Sequence, residues 1–250
     1  MGRNVLDLYD VPNVQSMFYQ SISPLPSWFW RDNGAPVNAL ARETAIDELA
    51  ELAGADPVSF REQLLANNPR LTAVMHAALE QAGWTPGVGS TGQGIGIALD
   101  FTDGTYLAEV ARVNVDANSG AVHLQHVDAA IDCGLVVNPD AARCQIEGSI
   151  VMHGTSSTLN EEIRFAGGKV LNNSFAEYGP ARSLEVPRVN VVFVEDRTRP
   201  PSGIGEPAVG GVSAAVSNAI YDAVGVRVRD LPFRPARVLG ALQTRAAAPR

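Results

Sequence analysis

At about residue 93 the hydrophobic pattern of this chain switches from a helical period to a period of two, which confines the fold to helices followed by sheet. Upstream, NALARETAIDELAELAG reads as an amphipathic helix. Leu40, Ile46, Leu49 and Leu52 recur at helical spacing, and Arg42, Glu43, Asp47 and Glu48 are expected to face mostly outward, with Gly54 as the stop. ADPVSFREQLL restarts the pattern with Asp56 as N-cap and Pro57 at the first helical position, ahead of Phe60, Leu64 and Leu65. PRLTAVMHAALEQAGW gives a third helix, ended by Gly83. Downstream, Ile95, Ile97, Leu99 and Phe101 alternate in GIGIALDF, and Val113 and Val115 close YLAEVARVNVD. DANSG then turns the chain into AVHLQHVDAAIDCG, an antiparallel meander.

A helix is expected after Asn138-Pro139, through DAARCQIEGSIVMHGTSST, and a further strand in EVPRVNVVFVED with Val189, Val191 and Phe193 on one face. A last helix runs from about Val212 to Val224, and TRAAAPR reads as an ordinary tail. The fold class is α+β: an N-terminal helical segment, then a mixed or antiparallel sheet with covering helices. The expected division is an extended and helical linking segment over 1–88, where Pro12, Pro24, Pro26 and Pro36 block a long early helix, and a C-terminal domain over 89–250.

Charge and cysteine content narrow the function. A formal net charge of −8 argues against nucleic acid and anionic membrane surfaces as partners. Cys133 and Cys144, the two cysteines, cannot build a disulfide framework or ligate an iron–sulfur cluster unaided. No apolar run approaches the ~20 residues of a spanning helix, so no direct membrane insertion is expected. MGRNVLDLYDVPNVQ lacks the apolar core of a signal peptide, which makes a cytoplasmic chain the default expectation unless a partner carries it to the periplasm.

The most unusual local chemistry is PPSGIGEPAVGGVSAAVSNAIYDAVG, residues 200–225. Pro207 keeps Glu206 extended just ahead of a helix. Gly203, Gly205, Gly210 and Gly211 admit close approach to the backbone, and the helix start favours an anionic group nearby. Alanine and serine on most faces of that helix let something pack tightly against it. A second polar group, Asp132, Asn138 and Gln145, lies at a strand end and the next helix start, where capping and turn roles compete with ligand binding. PSWFWRDNG places three large aromatics beside Arg31, a cluster that suits core or interface as well as a site. His123 and His126 point to opposite faces of a strand, so no metal site is expected there without a bulge. GSTGQGIG precedes a strand instead of following one, which makes it a poor dinucleotide fingerprint, and no G-x-S-x-G elbow is present.

IDCGLVVNP, QIEGSIVMHG, NNSFAEYGPARSLEVPRVNVVFVED and PPSGIGEPAVGG, with FWRDNGAPVNALARETAIDELAELAGADPVSFREQLL upstream, together resemble the C-terminal part of the molybdopterin-binding large subunit of molybdenum hydroxylases. This is the xanthine dehydrogenase and aldehyde oxidase family, and the likeness is nearer to its isoquinoline 1-oxidoreductase and aldehyde dehydrogenase type. The resemblance implies that Glu206 is the active-site base for oxidation of a heteroaromatic ring or an aldehyde. It implies that Gln145 hydrogen-bonds the molybdopterin, that Gly205 and Gly210 let backbone approach the cofactor, and that Arg31 lies beside it. It also implies molybdenum on molybdopterin, in the cytosine dinucleotide form, and iron–sulfur clusters on a separate subunit.

The family's large subunit is much longer, so a larger molybdopterin-binding partner chain is expected to complete the site, and the chain alone is expected to be inactive. The alternative is a scaffold subunit that has lost the cofactor. One departure stands out: IEGSIVMHGTSST is longer than the usual family stretch after the glutamine, and it brings His153 to the cofactor side.

Overall fold

The computed structural model describes residues 8–17, 19, 30–32, 34–85 and 92–247. Three helices come first: α1 (Ala35–Leu52), α2 (Pro57–Leu64) and α3 (Pro69–Ala82). Their boundaries follow the local chemistry. The Asp56 carboxylate accepts hydrogen bonds from the Val58 and Ser59 amides at 2.9 and 3.0 Å, and Gly83 ends α3 at φ 57°. Strands β1 (Gln93–Thr102), β2 (Thr105–Val115) and β3 (Val122–Asp132) form the expected antiparallel meander. Then come α4 (Pro139–Ser149), a π-helix over Ile150–Asn160, a two-residue hairpin pair β4 (Phe165–Ala166) and β5 (Lys169–Val170), a single turn α5 (Phe175–Tyr178), β6 (Arg188–Phe193), α6 (Gly210–Val224) and α7 (Pro235–Ala247).

Strand β6 adds parallel to β3, so the sheet is mixed, in the order β1-β2-β3-β6. The alternation in β1 sorts two different packing problems onto its two faces. Ile95, Ile97 and Leu99 join Leu71, Val74 and Met75 of α3 in one buried cluster. Gly94, Gly96 and Ala98 face α6, whose Ala215, Ala219 and Ala223 come so close that a Cβ on Gly96 would overlap the backbone of Ala215 and Ala219. The small-residue helix finds its tight partner in this strand: two surfaces stripped of side chains meet backbone to backbone.

Three features depart from the sequence expectations. Helix α1 follows the expected face only in part: Leu40 and Ile46 are buried, but Leu49 and Leu52 are 50% and 83% exposed, whereas Arg42, Glu43 and Asp47 are buried. The cause is pairing across elements. Arg61 of α2 reaches Asp47 at 2.8 Å and Glu43 at 3.3 Å, Arg42 reaches Glu43 at 2.9 Å and Asp100 of β1 at 3.1 Å, and the Tyr9 hydroxyl donates to Glu43. Charges survive burial when each finds a partner. The helix through residue 145 does not remain α-helical; its second half is wound with wider turns. The carboxyl-terminal stretch forms α7, with Val238 fully buried and the Arg245 guanidinium donating to the Val224 carbonyl at 2.6 Å.

Candidate functional site

The loop carrying Glu206 is tied down on both sides. The Ser202 amide donates to the Cys133 carbonyl at 2.9 Å at the end of β3. The Thr105 hydroxyl, at the start of β2, bonds Ser202 Oγ at 2.7 Å, and the Gly203 amide donates to the Asp103 carbonyl at 3.3 Å. Glu206 itself is half-buried, one turn ahead of α6.

Arg31 joins this loop to α4. Its Nε donates to the Gly205 carbonyl at 2.8 Å, and its Nη2 donates to the Gln145 side-chain oxygen at 3.1 Å and to the Gln145 carbonyl at 3.2 Å. Burial lowers the Arg31 pKa while the Glu206 charge works the other way. Beside it, burial pushes the Asp32 carboxyl up to about 6; the Thr102 hydroxyl, donating at 2.8 Å, opposes the rise, and the charges of Asp100, Glu206 and Asp103 add to it. Arg31, Gln145, Gly205 and Glu206 therefore form one cluster. An apolar groove adjoins it, between Asn138, Ala141 and Gln145 at the start and along α4 and Pro201, Ser202 and Ile204 of the loop.

Backbone strain concentrates at the same place. Among the described residues, the non-glycine positions with positive φ are Arg31 (44°), Asp32 (62°), Asp103 (53°) and Ala208 (73°). Two flank the loop's anchors, one holds Gly203 and one follows Glu206-Pro207. Each left-handed non-glycine residue costs about 1–3 kcal/mol and persists only where the surroundings enforce it.

The other expected residues divide. No atom lies within 4 Å of a Cβ built on Gly205, so its surface is open. Gly210 is different: a Cβ there would lie 2.9 Å from Asp100 Cγ, so the space beside it already belongs to this chain's own carboxylate. Asp132 is fixed by the Arg70 fork at 2.6 and 2.8 Å, which holds its pKa below the usual carboxylate range although burial acts against it. Asn138 caps α4, accepting from the Ala141 amide at 3.0 Å. Both take structural roles, and only Gln145 of that group meets Arg31. Of the aromatic cluster, Trp30 is described; Trp28 and Phe29, like Gly89 of the glycine-rich stretch, lie outside the described residues. The β2–β3 register slips at Gln125, and His126 Nε2 sits 2.8 Å from Asn190 Nδ2 and 3.2 Å from Asp128. No three potential metal ligands gather among the described residues.

Sequence reasoning missed a buried acid. Glu109 of β2 is fully buried beneath the first turn of α6, where a Cβ on Gly211 would come within 2.5 Å of its carboxylate. Neither of its oxygens has a partner among the described residues, and burial, then the Asp100 charge, raise its pKa far above normal. The available signal was an acid on the apolar face of its strand, in period with Leu107 and Ala111.

His153 lies on the π-helix with 6% exposure. Its ring packs tilted against Trp30 with centroids 5.1 Å apart, and burial, with the Arg31 charge behind it, brings its pKa down to about 4.

Comparison with known proteins gives a consistent picture. The family model described as a molybdopterin cofactor-binding domain matches residues 33–187. A nicotinate dehydrogenase subunit from Pseudomonas putida is 33% identical over 96% of this chain and 21% of its own length. The beta chain of isoquinoline 1-oxidoreductase from Brevundimonas diminuta is 29% identical over 91% of this chain and 29% of its own. This chain thus spans less than a third of either relative. The fold matches the aldehyde oxidoreductase of Desulfovibrio desulfuricans with a TM-score of 0.69 at 17% identity, covering 83% of this chain and 40% of that one.

Proposed function

This chain belongs to the molybdopterin-binding xanthine dehydrogenase family of oxidoreductases, and we propose that within an assembled enzyme it supplies the catalytic base, Glu206, and one wall of the cofactor site. The observation that carries the reading is the Arg31 bridge. One guanidinium holds the peptide carbonyl just before Glu206 and the Gln145 amide at once, in the strained corner of the molecule.

The residues present suit a polar, anionic cofactor. Arg31 offers charge and Gln145 an amide, Gly205 leaves backbone uncovered, and an apolar groove runs alongside. Gly210 contributes only as the first residue of α6, because Asp100 fills the space beside it. When bound, the molybdenum cofactor supplies the electron acceptor for oxidation of the substrate. Glu206 accepts the proton released as an oxygen nucleophile attacks the electron-poor carbon of a heteroaromatic ring or aldehyde. Arg31 fixes the direction of that carboxylate by holding the preceding peptide, which keeps the base from wandering into solvent.

A partner chain would complete the site. The excursion between the π-helix and β6 leaves Phe165, Leu171, Phe175 and Leu184 exposed, an apolar surface of the sort that a neighbouring polypeptide covers. That partner, in this reading, is the larger molybdopterin-binding portion, with iron–sulfur clusters on a further subunit and the cofactor in its cytosine dinucleotide form. The test is co-purification from the native host. Molybdenum and pterin in about one-to-one ratio with this chain, on a complex with a larger polypeptide, are expected; a complex free of both would overturn the proposal.

A further inference from the structure

The long stretch after Gln145 has a structural outcome that the base assignment leaves unused. Over Ile150–Asn160 the helix widens to i→i+5 bonding, as in the Glu161 amide to Ser156 carbonyl bond of 2.8 Å. Such widening absorbs extra residues without breaking the helix, and it recurs at functional sites. Gln145, Ser149 and His153 follow one another at steps of four along this element, and Ser149 Oγ donates to the Gln145 carbonyl at 2.8 Å. His153 thereby reaches the corner where Trp30 and Arg31 stand.

There its Nε2 is buried with no hydrogen-bond partner among the described residues. An unpaired buried polar group costs about 1–3 kcal/mol, and phenylalanine would fill the same place beside Trp30 without that cost. The missing partner therefore lies outside the described residues. We propose that His153 Nε2 hydrogen-bonds the cofactor bound at the Arg31–Gln145 cluster, as a positioning residue beside Trp30 and Arg31. This rests on the cofactor-site reading given above. The imidazole works in its neutral form, since burial and Arg31 both oppose protonation.

The experiment compares the assembled enzyme carrying wild-type chain, His153→Phe and His153→Gln, reading molybdenum by elemental analysis and released pterin by fluorescence, per mole of chain. His153→Phe keeps the ring and loses the nitrogen; it should retain its unfolding midpoint and lose about tenfold in cofactor content. His153→Gln restores a hydrogen-bonding group and should recover most of it. Equal cofactor content in wild type and His153→Phe overturns the inference, as does an equal loss in both variants. Should His153→Phe fail to assemble, His153→Gln decides alone: near-wild-type content supports the inference and a tenfold loss overturns it. Wild-type enzyme without cofactor refutes the parent reading instead.

Discussion

Arg31 and Gly205, 174 residues apart in sequence, are joined by a 2.8 Å hydrogen bond from the guanidinium Nε to the carbonyl oxygen. This bond orients the peptide that carries Glu206, and the same guanidinium holds Gln145 at 3.1 Å. A lysine has a single nitrogen and no planar fork, so it cannot reproduce the full set of bonds that Nε and Nη2 make. Arg31→Lys should lower cofactor content and turnover of the assembled enzyme roughly ten- to hundredfold, the range expected when a charged hydrogen bond worth about 1.5–3 kcal/mol is lost. Metal analysis beside steady-state rates checks this, and unchanged values would separate Arg31 from the site.

Gly96 and Gly205 predict opposite behaviour for the same substitution. A methyl on Gly96 meets the α6 backbone, with the Asn218 carbonyl carbon at 2.7 Å, and neither element can give way cheaply. Gly96→Ala should destabilise by about 3 kcal/mol or prevent folding. Gly205→Ala enters open space, so stability should stay within about 0.5 kcal/mol while cofactor content falls. Denaturant unfolding distinguishes the two, and a fully stable Gly96→Ala would contradict the close packing of β1 on α6.

Glu109 makes a pH prediction whose sign is fixed by burial. Its folded pKa lies well above the ordinary 4.5, so the folded state retains a proton that the unfolded chain releases. Stability from this group is complete below about pH 4.5 and is lost as pH rises toward the folded pKa, by up to about 1.4 kcal/mol per pH unit. Glu109→Gln removes the titration. Its unfolding free energy should exceed that of wild type at pH 8 and approach it near pH 4.5, and parallel pH curves for the two proteins would contradict the assignment.

Much of the fold was legible because its signals are local. Asp56, Gly83 and the alternation of Ile95, Ile97 and Leu99 act through their own backbone or nearest neighbours. The buried charges of α1 were not legible, since Arg42, Glu43 and Asp47 are buried only because Arg61 and Asp100, from other elements, neutralise them. Helix α7 was hidden by an alanine-rich composition whose anchor, Val224, lies on another helix. At the site, Glu206, Gln145, Gly205 and Arg31 stand out in the sequence and meet in the fold, while the space beside Gly210 serves Asp100. Glu109 and the strain at Ala208 escaped notice because both depend on how the loop lies over the sheet.

The role of Glu206 as base is tested most directly by Glu206→Gln in the assembled, cofactor-loaded enzyme. The amide keeps the shape of the side chain and cannot accept the proton. Molybdenum content, pterin content and unfolding midpoint should match wild type, while turnover drops by at least about a hundredfold, the lower range for loss of a general base. Turnover within a few-fold of wild type at equal cofactor loading would contradict the account.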